Sequence, residues 1–287
     1  MKETILITGA TGFLGSHLVH ALISANYNVI ALKRSSSDCW RISDVMDKVK
    51  FYDINEMEKA FYDQKINVVI HTACSYGKKN ESLHQIIDTN VVLGIRLLEY
   101  LVLYKVDTFI NTDTFFPKYL NSYSLSKKQF VEWFKFYSKQ LRIVNLRLQH
   151  MYGEKDDVSK FIPWLVNQLK SNVPEIKLTK GAQIKDFVYV SDVVSAYLLL
   201  LQKREELEDY SEFDVGSGEQ VSVHDFVESL YVSYKEIHQN VSTKLLFGAV
   251  PYREGELMEV RENIEPLEKL GWNPSINYKD GIRLLLG

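Results

Sequence analysis

Ile5-Leu6-Ile7-Thr8-Gly9-Ala10-Thr11-Gly12-Phe13-Leu14-Gly15 is the stretch whose reading decides the fold. A short apolar run is closed by glycine, and the residues from Leu14 to Ser24 then follow helical periodicity. Val29-Ile30-Ala31-Leu32 reads as a second buried strand, which completes a βαβ unit. In that setting the missing side chains let a pyrophosphate approach backbone N–H groups at the positive end of the helix. Gly9, Thr11, Gly12, Phe13, Leu14 and Gly15 are therefore expected to cradle a dinucleotide. Without its place in a βαβ unit, the turn would say only that a strand meets a helix tightly.

The pattern recurs outward from this unit. Val68-Val69-Ile70 is followed by a helical stretch from about Ser82 to Tyr104, and Phe109-Ile110 by another from about Ser122 to Gln140, before Ile143 to Leu148. Continuous apolar strands alternating with helices predict an α/β fold, a Rossmann-type doubly wound parallel sheet covered on both faces. Past Tyr152-Gly153 the rhythm changes, and Pro163, Pro174, Pro251, Pro266 and Pro274 interrupt shorter elements. Few further buried strands are legible there apart from Phe187-Val188-Tyr189-Val190. We place a dinucleotide-binding domain at residues 1–160 and a smaller α+β substrate-binding region at 161–287, with about 184–204 packing back on the first domain. The second region is expected to form a cleft over the carboxyl ends of the strands.

The end of the second strand should meet the adenosine ribose, where a carboxylate would bond the 2′-hydroxyl and repel a 2′-phosphate. Here the residues are Lys33-Arg34-Ser35-Ser36, with no acid before Asp38. Two cations and two hydroxyls suit a phosphate, so NADPH is expected over NADH. Asp53, after Phe51-Tyr52, is a candidate partner for the adenine amino group, although an Asp at a strand end also serves as a cap. Tyr123-Ser124-Leu125-Ser126-Lys127 sets a phenol and an ammonium four apart, on one helix face. A lysine beside a tyrosine stabilises the phenolate, so the phenol can exchange a proton with a carbonyl or alcohol near neutral pH. Thr112, at the end of Phe109-Ile110-Asn111-Thr112-Asp113-Thr114, can hydrogen-bond the same oxygen. The expected catalytic set is Thr112, Tyr123 and Lys127.

Other chemistry is disfavoured. Ser124-Leu125-Ser126-Lys127 also fits an SxxK nucleophile, but its companion motifs are absent. His17 and His20 lack further ligands, and no metal is expected. Cys39 and Cys74 read as free thiols. A net charge of −3 gives no reason to expect nucleic acid or an anionic membrane as partner, and the amino terminus runs straight into a strand, so a cytoplasmic location is expected.

With Gly9-Ala10-Thr11-Gly12-Phe13-Leu14-Gly15, His71-Thr72-Ala73, Asn90 and Tyr123-Ser124-Leu125-Ser126-Lys127 in this order, the chain resembles the extended short-chain dehydrogenase/reductases, whose members mostly rework sugar nucleotides. Arg147-Leu148-Gln149-His150-Met151-Tyr152-Gly153 looks like that family's RxxxxYG strand, and Lys185-Asp186-Phe187-Val188-Tyr189-Val190-Ser191-Asp192-Val193 like its RDFxxVxDV segment. Asn111-Thr112-Asp113-Thr114-Phe115-Phe116, Lys160-Phe161-Ile162-Pro163 and Phe247-Gly248-Ala249 resemble the CDP-abequose synthase group of 4-ketoreductases. The resemblance implies that Ile54, Thr72, Ala73, Asn90, Tyr123 and Lys127 join the cofactor site. It also implies that Asp113, Thr114, His150, Lys160, Phe161, Lys185 and Arg253 contact the substrate.

Three departures matter. Related 4,6-dehydratases carry Asp-Glu after the catalytic threonine, whereas Asp113 is followed here by Thr114, which disfavours dehydration. The run from Thr112 to Tyr123 is short, only eleven positions. The RDF arginine is Lys185 here, a point charge instead of a fork, which shifts phosphate contact toward Arg253. The resemblance implies reduction by NADPH of the C4 keto group of an NDP-4-keto-6-deoxy or 3,6-dideoxy hexose, CDP-linked, in deoxysugar biosynthesis for surface polysaccharide (lipopolysaccharide). The alternatives are a 4-epimerase with tightly bound NAD and a non-catalytic cofactor-binding regulator. Family members pair two helices across a two-fold axis, so a homodimer is expected through Ile87, Val91, Leu98, Phe130, Trp133 and Phe134.

Overall fold

Thr4–Thr8 carries Ile5, Leu6 and Ile7 fully buried and pairs along both edges, so this strand, β1, lies inside a sheet. The computed structural model describes residues 2–77 and 80–287. After β1 come α1 (Phe13–Ser24), β2 (Asn28–Lys33), β3 (Val49–Asp53), α2 (Glu58–Asp63), β4 (Val68–His71), α3 (Leu83–Ile87) and α4 (Leu93–Leu103). They are followed by β5 (Thr108–Thr114), α5 (Ser122–Glu132), α6 (Phe134–Tyr137), β6 (Arg142–Leu148), α7 (Phe161–Lys170), β7 (Glu175–Leu178) and β8 (Ile184–Lys185). The chain closes with α8 (Val190–Lys203), β9 (Tyr210–Val215), β10 (Val221–Ser222), α9 (Val223–Ile237), β11 (Lys244–Phe247), α10 (Glu265–Lys269) and α11 (Tyr278–Leu286).

The main sheet has the order β3-β2-β1-β4-β5-β6-β9, and every pair from β3 to β6 is parallel. This is the doubly wound order, and its reversal between β1 and β4 marks where ligands bind beyond the carboxyl ends of the strands. The α/β reading is borne out. Local signals set the helix ends near the site. Asn26 takes a left-handed conformation (φ 68°) and stops α1. Asn121 and Ser124 form a capping box, each side chain accepting from the other's backbone N–H, and so fix the turn that carries Tyr123.

Two helices differ from expectation. The stretch read as one helix from Ser82 to Tyr104 is α3 and α4 joined by a π-helical turn at Asp88–Val92. The stretch from Ser122 to Gln140 breaks at Trp133 between α5 and α6. Leu98, Phe130 and Phe134, expected at a dimer face, are instead buried in the core with Phe109, Leu97 and Ile143. Periodicity alone could not show that the sheet takes up that side of each helix. Trp133 remains 45% exposed, with Leu83, Val92 and Phe136 also exposed. A Cβ at Gly94 would lie 2.3 Å from the Phe130 ring, so α4 and α5 approach closely only because that position has no side chain.

The chain forms two compact units, Met1–Leu148 with Val194–Asp214, and Gln149–Val193 with Val215–Gly287. The boundary expected at 160 therefore falls inside the second unit, and 194–214 joins the first instead of 184–204. The first unit ends where β6 leaves the sheet, and β9 adds to that sheet by long-range pairing that composition does not reveal. In the second unit β10 pairs antiparallel with β8, and β11 parallel with β7. Phe187-Val188-Tyr189-Val190 is buried as expected but is not a strand. A single bridge joins Tyr189 to Tyr152, and Val190 already begins α8. Among the described residues no helix is long and apolar enough to cross a membrane.

Candidate active site

The glycine loop is built by close packing. Gly9 has φ +71°, and a Cβ there would lie 2.7 Å from both Ala73 N and Thr72 Oγ1. At Gly15 a Cβ would stand 2.0 Å from the Gly9 carbonyl oxygen, so the first turn of α1 rests directly on the loop. Gly12 differs, since a Cβ there would meet only Gly9 O, at 3.2 Å, among protein atoms. Thr11, Phe13 and Leu14 complete the turn, with Phe13 and Leu14 buried. Thr72 Oγ1 donates to Thr8 O at 2.7 Å, and Ala73 N donates to Thr8 Oγ1 at 3.3 Å. Those two groups therefore tie the ends of β1 and β4 together.

At the end of β2, Lys33 Nζ lies 5.9 Å from the Phe51 ring, while Arg34 and Ser35 are exposed. Arg41, missed in the sequence, donates from Nη1 to Thr11 O at 3.3 Å and stacks over Trp40 at 4.4 Å. It could have been noticed as a third cation closely following Lys33 and Arg34. Asp53 accepts from Asn55 N at 2.8 Å and caps the short turn Ile54–Glu56, so one of its oxygens serves as the cap that sequence reading weighed against an adenine contact.

Tyr123 and Lys127 lie at the start of α5. Tyr123 is half-buried, its ring 4.9 Å from that of Tyr76. Burial holds the phenol well above its ordinary pKa, Cys74 and Asp113 push it the same way, and the Thr114 side chain opposes them. Lys127 is not among the largest influences on the phenol in the folded chain, where desolvation outweighs the rest. Tyr123 stands as a protonated phenol, the form a proton donor needs.

Lys127 is only 2% exposed, and burial pulls its pKa down. Among the described residues no carboxylate lies within ion-pair distance of its ammonium. Asp113, the carboxylate that acts on Lys127 through space, pairs instead with Lys128 Nζ at 2.6 Å and leaves no surface for a sugar, since its side chain is wholly buried. Its other oxygen accepts from Thr114 N at 2.7 Å. Asp113 is therefore removed from the substrate-contacting set: successive strand residues face opposite ways, so Thr112 and Thr114 share the face that Asp113 leaves. Thr112 Oγ1 lies 2.6 Å from the hydroxyl of Tyr197, a fully buried residue of α8 that no local pattern in the sequence connects to it.

Asn90 also moves from the expected cofactor contacts to a supporting place. Its Oδ1 accepts from Ser75 N at 2.7 Å, and Nδ2 donates to Ser75 O at 2.8 Å and Ser126 Oγ at 2.9 Å. The π-helical turn presents it so that it clamps the segment after β4 to the helix turn between Tyr123 and Lys127. His71 Nδ1 pairs with Thr8 Oγ1 at 2.7 Å. Burial, aided by Lys127, pulls the His71 pKa down to about 3, so the ring is neutral.

The remaining candidates belong to the second unit. His150 is held neutral at a pKa of about 4 by burial and by Lys185. Lys160 Nζ pairs with Asp156 at 2.9 Å, and Phe161 stacks on Trp164 at 6.1 Å. Lys185 Nζ donates to Leu257 O at 2.7 Å and lies 3.9 Å from Glu256. Arg253 is exposed. Asp186 accepts from Ser217 N and Gly218 N at 2.7 Å each, and burial together with the neighbouring Glu262 carboxyl pushes its pKa up to about 8.

The residues present fit a nicotinamide dinucleotide. The loop at Gly12 is open above its backbone, no acid stands at the end of β2, and a buried ammonium at Lys127 lacks an anionic or hydroxyl partner among the described residues. Fold and site together define a nicotinamide-dependent enzyme of the extended short-chain dehydrogenase/reductase type. The chain belongs to the NAD dependent epimerase/dehydratase family, which matches residues 5–216. It is 36% identical to the CDP-abequose synthase of Salmonella typhimurium, over 100% of this chain and 98% of that one. It is 30% identical to a putative UDP-glucose 4-epimerase of Methanocaldococcus jannaschii, over 97% and 96%. Among solved structures, the UDP-glucose-4-epimerase of Stenotrophomonas maltophila with bound NAD and formylated UDP-arabinopyranose superposes with a TM-score of 0.86 at 19% identity, covering 99% of this chain and 97% of that one. That likeness speaks to the fold.

Proposed function

We propose that the protein reduces the C4 keto group of a nucleotide-linked 4-keto-6-deoxy or 3,6-dideoxy hexose, CDP-linked, with NADPH, in deoxysugar biosynthesis for surface polysaccharide. The carrying observation is the Tyr123–Lys127 pair, one helical turn apart at the start of α5 with Lys127 buried, together with Thr112 near the carboxyl end of β5. Full-length similarity to CDP-abequose synthase supports the substrate class, and Thr114 in the place of a dehydratase glutamate supports reduction without elimination.

Gly9, Thr11, Gly12, Phe13, Leu14 and Gly15 would hold the pyrophosphate, Asp53 and Ile54 the adenine end, and Lys33, Arg34 and Ser35, with Arg41, the 2′-phosphate. Lys127 would hold the nicotinamide ribose. When bound, the reduced nicotinamide supplies hydride to C4. Tyr123 gives its proton to the C4 oxygen as the carbonyl becomes an alcohol, and Thr112 donates a hydrogen bond to that oxygen. The Lys127 ammonium lies on the same helix face and offsets the negative charge left on the phenol until solvent returns a proton. His150, Lys160, Phe161, Lys185 and Arg253 supply the nucleotide and sugar contacts, and the working form is a homodimer paired through the exposed side of α4 and α5.

Incubation with NADPH and a panel of CDP-, dTDP- and GDP-linked 4-keto sugars, with products identified by NMR, tests this reading. Consumption of NADPH and a C4 alcohol product are expected; inertness toward the whole panel would overturn it. The relative described as a 4-epimerase favours a second reading, in which the purified protein carries stoichiometric NAD and converts substrate without added NADPH. Light scattering at the 33.3 kDa monomer mass would exclude the dimer.

A further inference from the structure

The hydroxyl of Tyr197 is fully buried, and its one described partner is Thr112 Oγ1, at 2.6 Å. A threonine hydroxyl has one proton and two lone pairs. To serve a keto oxygen, which carries no proton, Thr112 must keep its own proton free and accept elsewhere. A threonine left to itself tends to spend that proton on a nearby backbone carbonyl. A phenol is the more acidic partner and therefore the donor in a phenol–alcohol pair, and burial keeps the Tyr197 phenol protonated. Thr114, two positions along on the same strand face, is engaged differently: its hydroxyl accepts from Phe116 N at 3.2 Å.

We infer that Tyr197 is a positioning residue for the reaction: its phenol donates to Thr112 Oγ1 and so aims the Thr112 proton at the C4 oxygen. The inference rests on the assignment of Thr112 made above and adds a residue 85 positions away in sequence. Chained hydroxyls polarise one another, so the Thr112 proton becomes a better donor when its oxygen accepts from Tyr197.

Tyr197→Phe keeps the ring and removes only the hydroxyl. In the full-length enzyme we expect kcat to fall roughly tenfold, as for loss of one hydrogen bond made in the transition state. The melting temperature and the NADPH affinity, read by fluorescence titration, should stay at the wild-type values. In a Thr112→Val background the same change should cost nothing further, because the group it orients is gone. An unchanged kcat in Tyr197→Phe, an equal loss in the Thr112→Val background, or a loss that tracks melting temperature or NADPH affinity would each overturn the inference. Failure of the functional reading looks different: wild type itself would then leave NADPH unoxidised. Should wild type prove a 4-epimerase, the same four-variant comparison is made on that reaction, since Thr112 would serve the same C4 oxygen.

Discussion

Alanine at Gly15 and alanine at Gly12 should separate two roles that the glycine loop combines. At Gly15 the new Cβ would lie 2.0 Å from Gly9 O, 2.6 Å from Gly9 C and 3.0 Å from Ala10 Cα, all of them backbone atoms. A methyl carbon and a carbonyl oxygen rest at about 3.3–3.6 Å, so the first turn of α1 and the loop must part by roughly 1.3 Å. Overpacking of this kind costs about 1–3 kcal/mol, and a backbone neighbour cannot swing aside. Alanine's better helix propensity returns about 0.8–1 kcal/mol. Because the clash is with backbone, the overpacking cost sits at the upper end of that range, and the net expectation is a loss of roughly 2 kcal/mol of stability, together with at least about a tenfold loss of NADPH affinity as the loop amides shift. Gly12 has an extended backbone (φ −79°, ψ 178°) and a single 3.2 Å neighbour. Its alanine variant should keep stability within about 0.5 kcal/mol and still lose at least about tenfold in NADPH affinity, because the methyl would occupy the proposed phosphate cradle. Urea denaturation and fluorescence titration with NADPH measure both quantities. Wild-type stability in Gly15→Ala, or wild-type NADPH affinity in Gly12→Ala, would refute the reasoning.

Three further expectations follow from the same geometry. Tyr123→Phe removes the proton donor but not the ring, so turnover should fall at least about a hundredfold with cofactor affinity retained; near-normal kcat would remove Tyr123 from the mechanism. Arg34→Ala should raise the KM for NADPH roughly tenfold and leave NADH nearly untouched, one charge-assisted pair being worth about 1.5–3 kcal/mol. Equal effects on the two cofactors would show that Arg34 does not read the 2′-phosphate. His71 and His150 have folded pKa values pulled down to about 3 and about 4, so the unfolded chain binds more protons below the ordinary imidazole pKa. Their contribution to stability is complete above about pH 6.5 and is lost as pH falls toward those values, by about 2–3 kcal/mol for each at pH 4.5. An unfolding free energy that stays level between pH 7 and pH 4.5 would contradict this.

Sequence alone determined the parallel core of the sheet, the glycine loop, and the Tyr123–Lys127 spacing. Each is written in local terms: an apolar run stopping at glycine, three glycines that let α1 sit on its own loop, and a four-residue step along one helix face. Family membership was legible for the same reason, since those local signals recur in chain order. The direction of the Tyr123 pKa was not, because desolvation depends on what the rest of the chain packs around the phenol. Asp113 looked like a sugar contact until strand alternation turned it toward Lys128. Asn90 looked like a cofactor contact until the π-helical turn aimed it at Ser75 and Ser126. Tyr197 and Arg41 carried no local signal that linked them to Thr112 and Thr11. What only the tertiary structure decided is which polar groups spend their bonding capacity on one another, for a donor's partner is fixed by proximity in space and not by spacing along the chain.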